Sequence, residues 1–203
     1  MATLPAELVA VSRHRLTAAD FRRMGEVGIL GPDDRVELIA GEIIDMSPIG
    51  SLHAALVRAI ATALTHHVRD RALLAVQDPL ALDDTSQPQP DIAVLRPRAD
   101  FYAAAHPGPA DVLLVIEVAD TTLAFDLDVK VPLYAAAGVP EAWVIEAASR
   151  RTHVFRRPAN GRYAQRHVVE ADGEVMCGGD LSGREAVADV RLTLGTLLPA
   201  SPT

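Results

Sequence analysis

The feature that most constrains the fold is a run of aliphatic residues with a glutamate near its end. Within residues 111–119, every position from Val112 to Ala119 is aliphatic except Glu117. Side chains alternate between the two faces of a strand, so consecutive apolar positions predict a strand buried on both faces, inside a sheet. A buried carboxylate without a partner is strongly destabilised or gives up its charge. Glu117 therefore needs a partner, which a lysine, a metal ion or both would provide.

Two more polar residues are predicted to lie near this glutamate. Asp91 follows Pro90 at the entrance of a second apolar strand, residues 91–95, and Lys130 lies on the helix predicted to follow the strand of Glu117. A lone carboxylate in a strand is more often an edge residue or half of an ion pair than a ligand. Two carboxylates at the mouths of adjacent strands, with a lysine within reach, favour a functional site.

The rest of the pattern alternates helices and strands. Thr17 and Asp20 form the ends of a capping box that opens a helix, and Asn160-Gly161 is a strong hairpin signal. The other predicted elements are two short strands over 35–46, a helix over 51–72, a strand over 73–82 that is interrupted or ends near Pro79, and strands over 91–95, 111–119 and 142–145. They are joined by a loop leading into a helix over 121–137 stopped by Gly138, hairpin strands over 152–157 and 162–169, and a strand with a short helix over 189–198. This order predicts an α/β domain with a mixed central β-sheet flanked by α-helices, and an additional C-terminal β-hairpin.

Length and composition predict one ordinary domain. The 203 residues are enough for one substantial core. We expect an N-terminal arm over residues 1–15, a single domain over 16–198 and a flexible tail over 199–203. No apolar run approaches the roughly 20 residues that span a bilayer, and the N-terminus lacks the pattern of a signal peptide. A single cysteine, Cys177, excludes an internal disulfide. These features predict a cytoplasmic protein that does not enter a membrane.

The net charge of −8 complicates any interpretation as a nucleic-acid-binding protein. Contacts from lysine and arginine to phosphate supply most non-specific affinity for DNA, so an acidic protein must localise its positive charge or use bound metal ions. Arginines do cluster around the predicted hairpin, at Arg150, Arg151, Arg156, Arg157, Arg162 and Arg166. A solvated surface is at least as good an explanation of this cluster as a DNA-binding face.

Four sequence blocks, in order and spacing, resemble a known family. They cover residues 35–48, 89–94, 114–120 and 126–143, with His53 following the first of them. Together they resemble the Uma2 family, a group of bacterial proteins assigned to the PD-(D/E)XK superfamily of nucleases. Each block alone is a weak signal, and the resemblance rests on their combination over roughly residues 16–198.

The resemblance implies a restriction-endonuclease-like core and a catalytic centre. Asp91 would be its first acidic residue and Glu117 its second. The lysine that usually comes two residues after the second acidic residue is replaced by Ala119, and Lys130 on the next helix occupies the position matching the family's lysine. The resemblance therefore implies that the amine of Lys130 points at the two carboxylates.

The implied activity is cleavage of DNA with a divalent metal. Asp91 and Glu117 would hold Mg²⁺ or Mn²⁺, hard cations that prefer oxygen ligands. Lys130 would orient or deprotonate the attacking water, or stabilise the transition state. Glu37 is either a third metal ligand or half of an ion pair with a nearby arginine. A homodimer is expected because duplex cleavage needs two cuts. The alternatives are a catalytically idle nuclease fold that binds nucleic acid or a protein, and a hydrolase of another phosphoester.

Three residues are weaker candidates for supporting roles. His53 opens the long helix, where a helix-end hydrogen bond competes with an approach to phosphate or water. Asp126 lies four residues before Lys130, so the default expectation is an i,i+4 ion pair, with orientation of the lysine as the alternative. Tyr134 is one turn beyond Lys130, and packing is favoured over catalysis. Pro132 cannot donate a backbone hydrogen bond, which places Lys130 near a helix start or an irregular turn.

Overall fold

The computed structural model describes residues 13–178 and 185–198. The tail predicted over 199–203 and the first twelve residues of the predicted N-terminal arm lie outside these ranges. At the described end of the arm, Arg15 donates a hydrogen bond to the carbonyl of Ala40 and forms an ion pair with Glu42 at 2.8 Å. Among the described residues, no helix is both long and apolar enough to cross a membrane.

Six strands form the central sheet, and the sheet is mixed as predicted. In spatial order they are β3 (Leu73–Val76), β4 (Ile92–Leu95), β5 (Val112–Ala119), β6 (Glu141–Glu146), β7 (Thr152–Ala159) and β8 (Arg162–Val169). Strands β5 and β6 run parallel, and all other neighbours run antiparallel. Every residue of β5 is buried, which confirms the central strand. The predicted C-terminal hairpin is present as β7 and β8, and it extends this sheet.

Helices cover both faces of the sheet. Helix α2 (Ser51–Val68) packs Leu56, Ile60 and Leu64 into one core cluster with Trp143 of β6. On the opposite face, a second cluster joins side chains of the sheet to the helical segment after β5, of which Tyr134 is fully buried. The prediction of a sheet flanked by helices is therefore confirmed.

The helical segment after β5 contains an irregular turn. It consists of α3 (Leu123–Phe125), a π-helical turn (Asp126–Lys130) and α4 (Val131–Ala136). Val131 donates its backbone N–H to the carbonyl of Asp126, five residues earlier. Pro132 follows at once, and because it has no N–H it cannot extend a regular hydrogen-bond ladder backwards. This confirms the irregular turn predicted next to Lys130.

A separate hairpin lies against the loop of residues 83–90. Its strands are β1 (Val36–Ile39) and β2 (Glu42–Asp45), and the chain reverses at Ala40-Gly41 as predicted. Gln87 donates its N–H to the carbonyl of Leu38 at 2.7 Å, and Gly41 donates to the carbonyl of Thr85 at 2.8 Å. The hairpin is thus fixed to the body of the domain. Before it, the predicted capping box of Thr17 opens helix α1 (Ala18–Glu26).

Some boundaries differ from those expected. The strand predicted over 73–82, with an interruption or end near Pro79, ends three residues earlier, at Val76, because Gln77 adopts a left-handed backbone with φ of 57°. The long helix ends at Val68, and one 3-10 turn (Arg69–Arg71) follows it. The predicted C-terminal strand and helix are present as β10 (Arg191–Leu192) and α5 (Leu194–Leu197), with β10 paired to β9 (Val175–Met176).

Two glycines allow a test of how closely the N-terminal segment packs on the hairpin. Gly41 has φ of +77° and a Cβ there would lie 2.7 Å from Cβ of Arg15, whereas Gly138 has φ of +82° and a Cβ there would meet no atom within 4 Å. Gly138→Ala should cost about 1 kcal/mol of unfolding free energy through backbone strain alone. Gly41→Ala should cost more, because strain and steric overlap add. Urea unfolding followed by circular dichroism measures both, and equal losses would contradict the packing described.

Candidate active site

A cavity of about 520 Å³ lies at the end of the sheet where β4 begins and β5 ends. Its walls come from the β1–β2 hairpin and the loop after it, the first turn of α2, and residues 117–126 with Lys130. Among the described residues lining it, six carry carboxylates, Glu37, Asp45, Asp91, Glu117, Asp120 and Asp126, whereas only Arg35 and Lys130 carry permanent positive charge. The cavity is therefore strongly acidic.

Asp91 is held in one orientation by groups from three elements. Its Oδ2 accepts the backbone N–H of Val118 at 2.8 Å, which is possible because β4 and β5 are antiparallel neighbours. Its Oδ1 accepts a hydrogen bond from Nε2 of Gln77 at 3.1 Å and lies 2.9 Å from Nε2 of His53. The carboxylate is thereby fixed at the entrance of β4.

Glu117 lies deeper, and its side chain reaches across to the opposite helical segment. Its Oε1 accepts the Tyr134 hydroxyl at 2.6 Å and lies 3.4 Å from Nζ of Lys130, while Oε2 accepts the backbone N–H of Asp91 at 3.4 Å. Burial raises the pKa of Glu117 to about 8, and the nearby charges of Asp126 and Asp91 add to that rise. The charge of Lys130 and the Tyr134 hydroxyl only partly oppose it.

Lys130 connects this glutamate to the hairpin. Its Nζ lies 3.1 Å from Oε2 of Glu37 and 3.4 Å from Oε1 of Glu117, and the residue is only 5% exposed. Burial favours the neutral amine, but Glu117, Glu37 and Asp126 outweigh it and raise the pKa of Lys130. The amine therefore stays charged. Among the described residues its ion pairs are with Glu37 and Glu117. The amine was expected to point at Asp91 and Glu117, so its second carboxylate partner is Glu37 and not Asp91.

Glu37 is 3% exposed and has two partners at one oxygen. Besides Lys130, its Oε2 accepts the backbone N–H of Gln89 at 3.0 Å, and the Gln89 side chain donates in turn to the carbonyl of Val36. The sequence left open whether Glu37 is a metal ligand or pairs with an arginine. The observed cation partner is a lysine, and this pair joins the hairpin to the helical segment.

His53 faces Asp91 from the first turn of α2. The hydrogen bond to Asp91 raises the pKa of His53, and burial opposes that rise. Its other ring nitrogen, Nδ1, is buried and has no hydrogen-bond partner among the described residues. The side chain thus contacts Asp91 and lines the cavity, and its approach to phosphate or water stays a prediction.

Asp126 does not form the ion pair expected for it, and Tyr134 makes one contact beyond the packing expected for it. Asp126 Oδ2 accepts the Thr122 hydroxyl at 2.7 Å, and no ion pair between Asp126 and Lys130 occurs in the described part of the chain. The π-helical turn explains this, because it rotates residues four apart away from the alignment they have in an α-helix. Burial raises the pKa of Asp126, and the Thr122 hydrogen bond opposes it. Tyr134 is packed as expected, but it also hydrogen-bonds Glu117.

Two glutamines at this site were not singled out from the sequence. Gln77 donates to Asp91, and Gln89 donates to Glu37 and to the hairpin backbone. Gln77 reaches Asp91 because its left-handed backbone ends β3, and no turn residue in the sequence signals that conformation. Gln89 does precede Pro90-Asp91 in a block that resembles the family, which is the only signal for it.

The arginines clustered near the β7–β8 hairpin are mostly used within the domain. Arg150 donates to the carbonyls of Gly195 and Leu198, and Arg156 forms an ion pair with the buried Glu141 at 3.0 Å. Arg151 pairs with Glu146 and Glu170. These contacts favour a structural role for the three residues over a DNA-binding face.

The carboxylate oxygens that line this cavity are the kind of ligand that a hard divalent cation prefers. Across residues 13–178 and 185–198, no three His, Cys, Asp or Glu side chains converge on a point where together they could hold a metal ion. Mg²⁺ does not need three, since it commonly takes one or two carboxylates and completes its shell with water and substrate phosphate. Carboxylates outnumber the permanent cations six to two in the described lining, so a divalent cation would supply charge that the site lacks.

Comparisons with known proteins agree with this architecture. The model of the Uma2 family, described as "Putative restriction endonuclease", matches residues 18–191. The crystal structure of a "putative nuclease belonging to DUF820" from Anabaena variabilis superposes with a TM-score of 0.65 at 17% identity, over 90% of this chain and 97% of that one. At that identity the likeness establishes the fold. No curated protein matches the chain.

The raised pKa of Glu117 predicts a pH-dependent stability. Between pH 4.5 and about 8 the carboxyl holds its proton in the folded protein and loses it on unfolding. Wild type should therefore lose unfolding free energy, relative to Glu117→Gln, as pH rises through this range, and the difference should level off above it. The full change is on the order of a few kcal/mol.

Urea unfolding in EDTA at several pH values measures this difference. Glu174→Gln, at an exposed position, controls for the loss of one carboxylate. Parallel pH profiles for wild type and Glu117→Gln would show that Glu117 is ionised in the folded protein at neutral pH.

Proposed function

The chain belongs to the Uma2 family, and from that premise we propose that it is a divalent-metal-dependent endonuclease that hydrolyses DNA phosphodiester bonds in this cavity. The observation that carries the proposal is the position of Lys130. A charged amine is held, almost fully buried, between Glu37 and Glu117, and Glu117 also accepts the backbone N–H of Asp91. Stability alone does not explain such an arrangement, since the free-energy cost of removing charges from water can exceed the attraction between them.

In this proposal Asp91 and Glu117 hold Mg²⁺ or Mn²⁺. Both ions prefer oxygen donors, and Glu117 lies beside Asp91, because its Oε2 accepts the backbone N–H of that residue. A bound ion would polarise the phosphoryl oxygen and acidify a coordinated water. Gln77 and the backbone of Val118 keep Asp91 in place for this task, and Tyr134 does the same for Glu117.

Lys130 stabilises negative charge that develops on the phosphate. Its pKa is raised, so at neutral pH it has no free electron pair with which to deprotonate water. A fixed ammonium in a buried site interacts with developing charge more strongly than it would in water. Glu37 serves as a positioning residue, because its contacts with Lys130 and the Gln89 backbone hold the amine at the cavity floor.

The sequence also led us to expect a cytoplasmic homodimer. The dimer is expected for a duplex substrate, which needs two cuts; it stays a prediction, as does the cytoplasmic location. Sedimentation velocity on the purified protein measures the oligomeric state directly.

Loss of single side chains should separate catalysis from folding. With Mn²⁺ or Mg²⁺, wild type should cleave at least one DNA form among single-stranded and duplex circles and oligonucleotides. Asp91→Asn should abolish that metal-dependent cleavage, and Lys130→Met should lower its rate roughly 10²- to 10³-fold. Asp128→Asn, on the same π-helical turn but exposed, is the matched control and should cleave like wild type. Gel electrophoresis of the products gives the rates.

Three results would contradict the proposal. One is a wild type that neither binds Mg²⁺ or Mn²⁺ nor cleaves any DNA offered, which would leave the idle nuclease fold. Another is cleavage that survives Asp91→Asn, which would locate the activity elsewhere. The third is hydrolysis of nucleotides or simple phosphoesters without cleavage of DNA.

A further inference from the structure

We infer that the substrate of this site is an unpaired DNA strand, such as a single-stranded segment or a displaced flap, and not continuous duplex. The inference rests on the proposed function and names the substrate class for the same cavity. It follows from the depth of the reacting groups, the attachment of the cavity wall, and the chemistry of the cavity lining.

The groups assigned to catalysis lie at the floor of the cavity. Glu117 and Lys130 are 3% and 5% exposed, and the side chain of Asp91 is 13% exposed. A scissile phosphate must come within contact distance of these atoms, so the strand that carries it must enter the cavity. Duplex DNA resists bending over about 150 base pairs and cannot follow such a path without large distortion. A single strand can bend into it.

The wall that a duplex would meet is fixed to the domain. The β1–β2 hairpin and the loop after it, residues 46–50, form one side of the cavity, and the hairpin is hydrogen-bonded to residues 85–89. The ion pair of Glu37 with Lys130 ties it to the floor as well. Moving the hairpin aside would therefore break contacts that the catalytic amine itself uses.

The lining suits bases better than a duplex backbone. Cations on the phosphates supply much of the affinity for duplex and single strands alike, but the described lining offers only Arg35 and Lys130 against six carboxylates, so binding here depends on other contacts. Apolar side chains outnumber the two cations in this lining, and Phe125 is the aromatic one. They are Ile44, Met46, Pro48, Ile49, Val118, Ala124 and Phe125. Bases stack on aromatic rings when they are unpaired, whereas in a duplex both faces of each base are already covered.

The size of the cavity agrees with one nucleotide at a time. Its volume of about 520 Å³ lies within the roughly 300–1,000 Å³ of sites that enclose small molecules. One nucleotide of a strand can therefore occupy it while its neighbours lie outside. The half-buried ring of Phe125 and the exposed Ile49 line this space and are available to contact the entering base.

A tryptophan at position 125 can report entry of a strand. The natural chain has one tryptophan, Trp143, which is fully buried in the sheet and supplies a constant background. In an Asp91→Asn background that blocks cleavage, we expect single-stranded oligonucleotide to quench the fluorescence of Phe125→Trp. A blunt-ended duplex of the same sequence should need at least about 10-fold higher concentration.

The matched control is Phe101→Trp, because Phe101 is 74% exposed and lies outside the cavity. It should not respond to either DNA. If Phe125→Trp fails to fold, Ile49→Trp on the hairpin side of the cavity is the second reporter. Equal quenching by duplex and single strand, or quenching of Phe101→Trp alone, would overturn the inference.

Cleavage distinguishes the inference from the function on which it rests. Wild type with Mn²⁺ should cut a circular single strand faster than a relaxed, closed duplex circle, and Phe125→Ala should raise KM for the single strand about 10-fold with little change in kcat. Asp91-dependent cutting of duplex at an equal rate would overturn the inference and leave the endonuclease in place. If neither circle is cut in a way that depends on Asp91, both the inference and the proposed endonuclease function are wrong.

Discussion

The single positive charge of Lys130, shared between two buried carboxylates, is the interaction on which the rest of the site depends. It joins the β1–β2 hairpin through Glu37, the central strand through Glu117, and the irregular turn from which the lysine itself arises. Burial, together with the charges of Asp126 and Asp91, raises the pKa of Glu117, and the one charge of Lys130 offsets that rise only in part. The site is thus built with a deficit of positive charge at its centre.

That deficit links the geometry to the proposed chemistry. A divalent cation beside Asp91 and Glu117 would supply the missing charge, while Lys130 would be left to act on the substrate. The same burial that strengthens the electrostatic interactions also places them at the floor of a cavity. The proposed catalysis and the inferred preference for an unpaired strand therefore rest on one structural feature, the burial of these groups.

The sequence predicted best what depends on strand periodicity. The apolar run around Glu117 and the short strand after Asp91 placed both carboxylates at one end of the sheet, and antiparallel pairing of β4 with β5 brings them together. Lys130 came only from the resemblance to a family, because nothing in the spacing of a helix says that a lysine will reach a strand. Pro132 did indicate the irregular turn.

What the sequence could not predict depends on local backbone geometry and on contacts distant along the chain. The expected pair of Asp126 with Lys130 assumed α-helical spacing, which the π-helical turn removes. Gln77 reaches Asp91 through a left-handed backbone that ends β3 early. Glu37 was a candidate, but its contact with the lysine depends on how a separate hairpin packs on residues 83–90, which no periodicity encodes.

In the proposed site, Asp91 and Glu117 hold the cation, while Lys130 stabilises the negative charge that develops on the phosphate. Titration of metal-free protein with Mn²⁺, followed by electron paramagnetic resonance, tests this division of roles most directly. The account predicts that Lys130→Met binds Mn²⁺ at least as tightly as wild type, because a competing charge has gone, and that Asp91→Asn loses that binding. Loss of Mn²⁺ binding in Lys130→Met, or its survival in Asp91→Asn, would contradict the account.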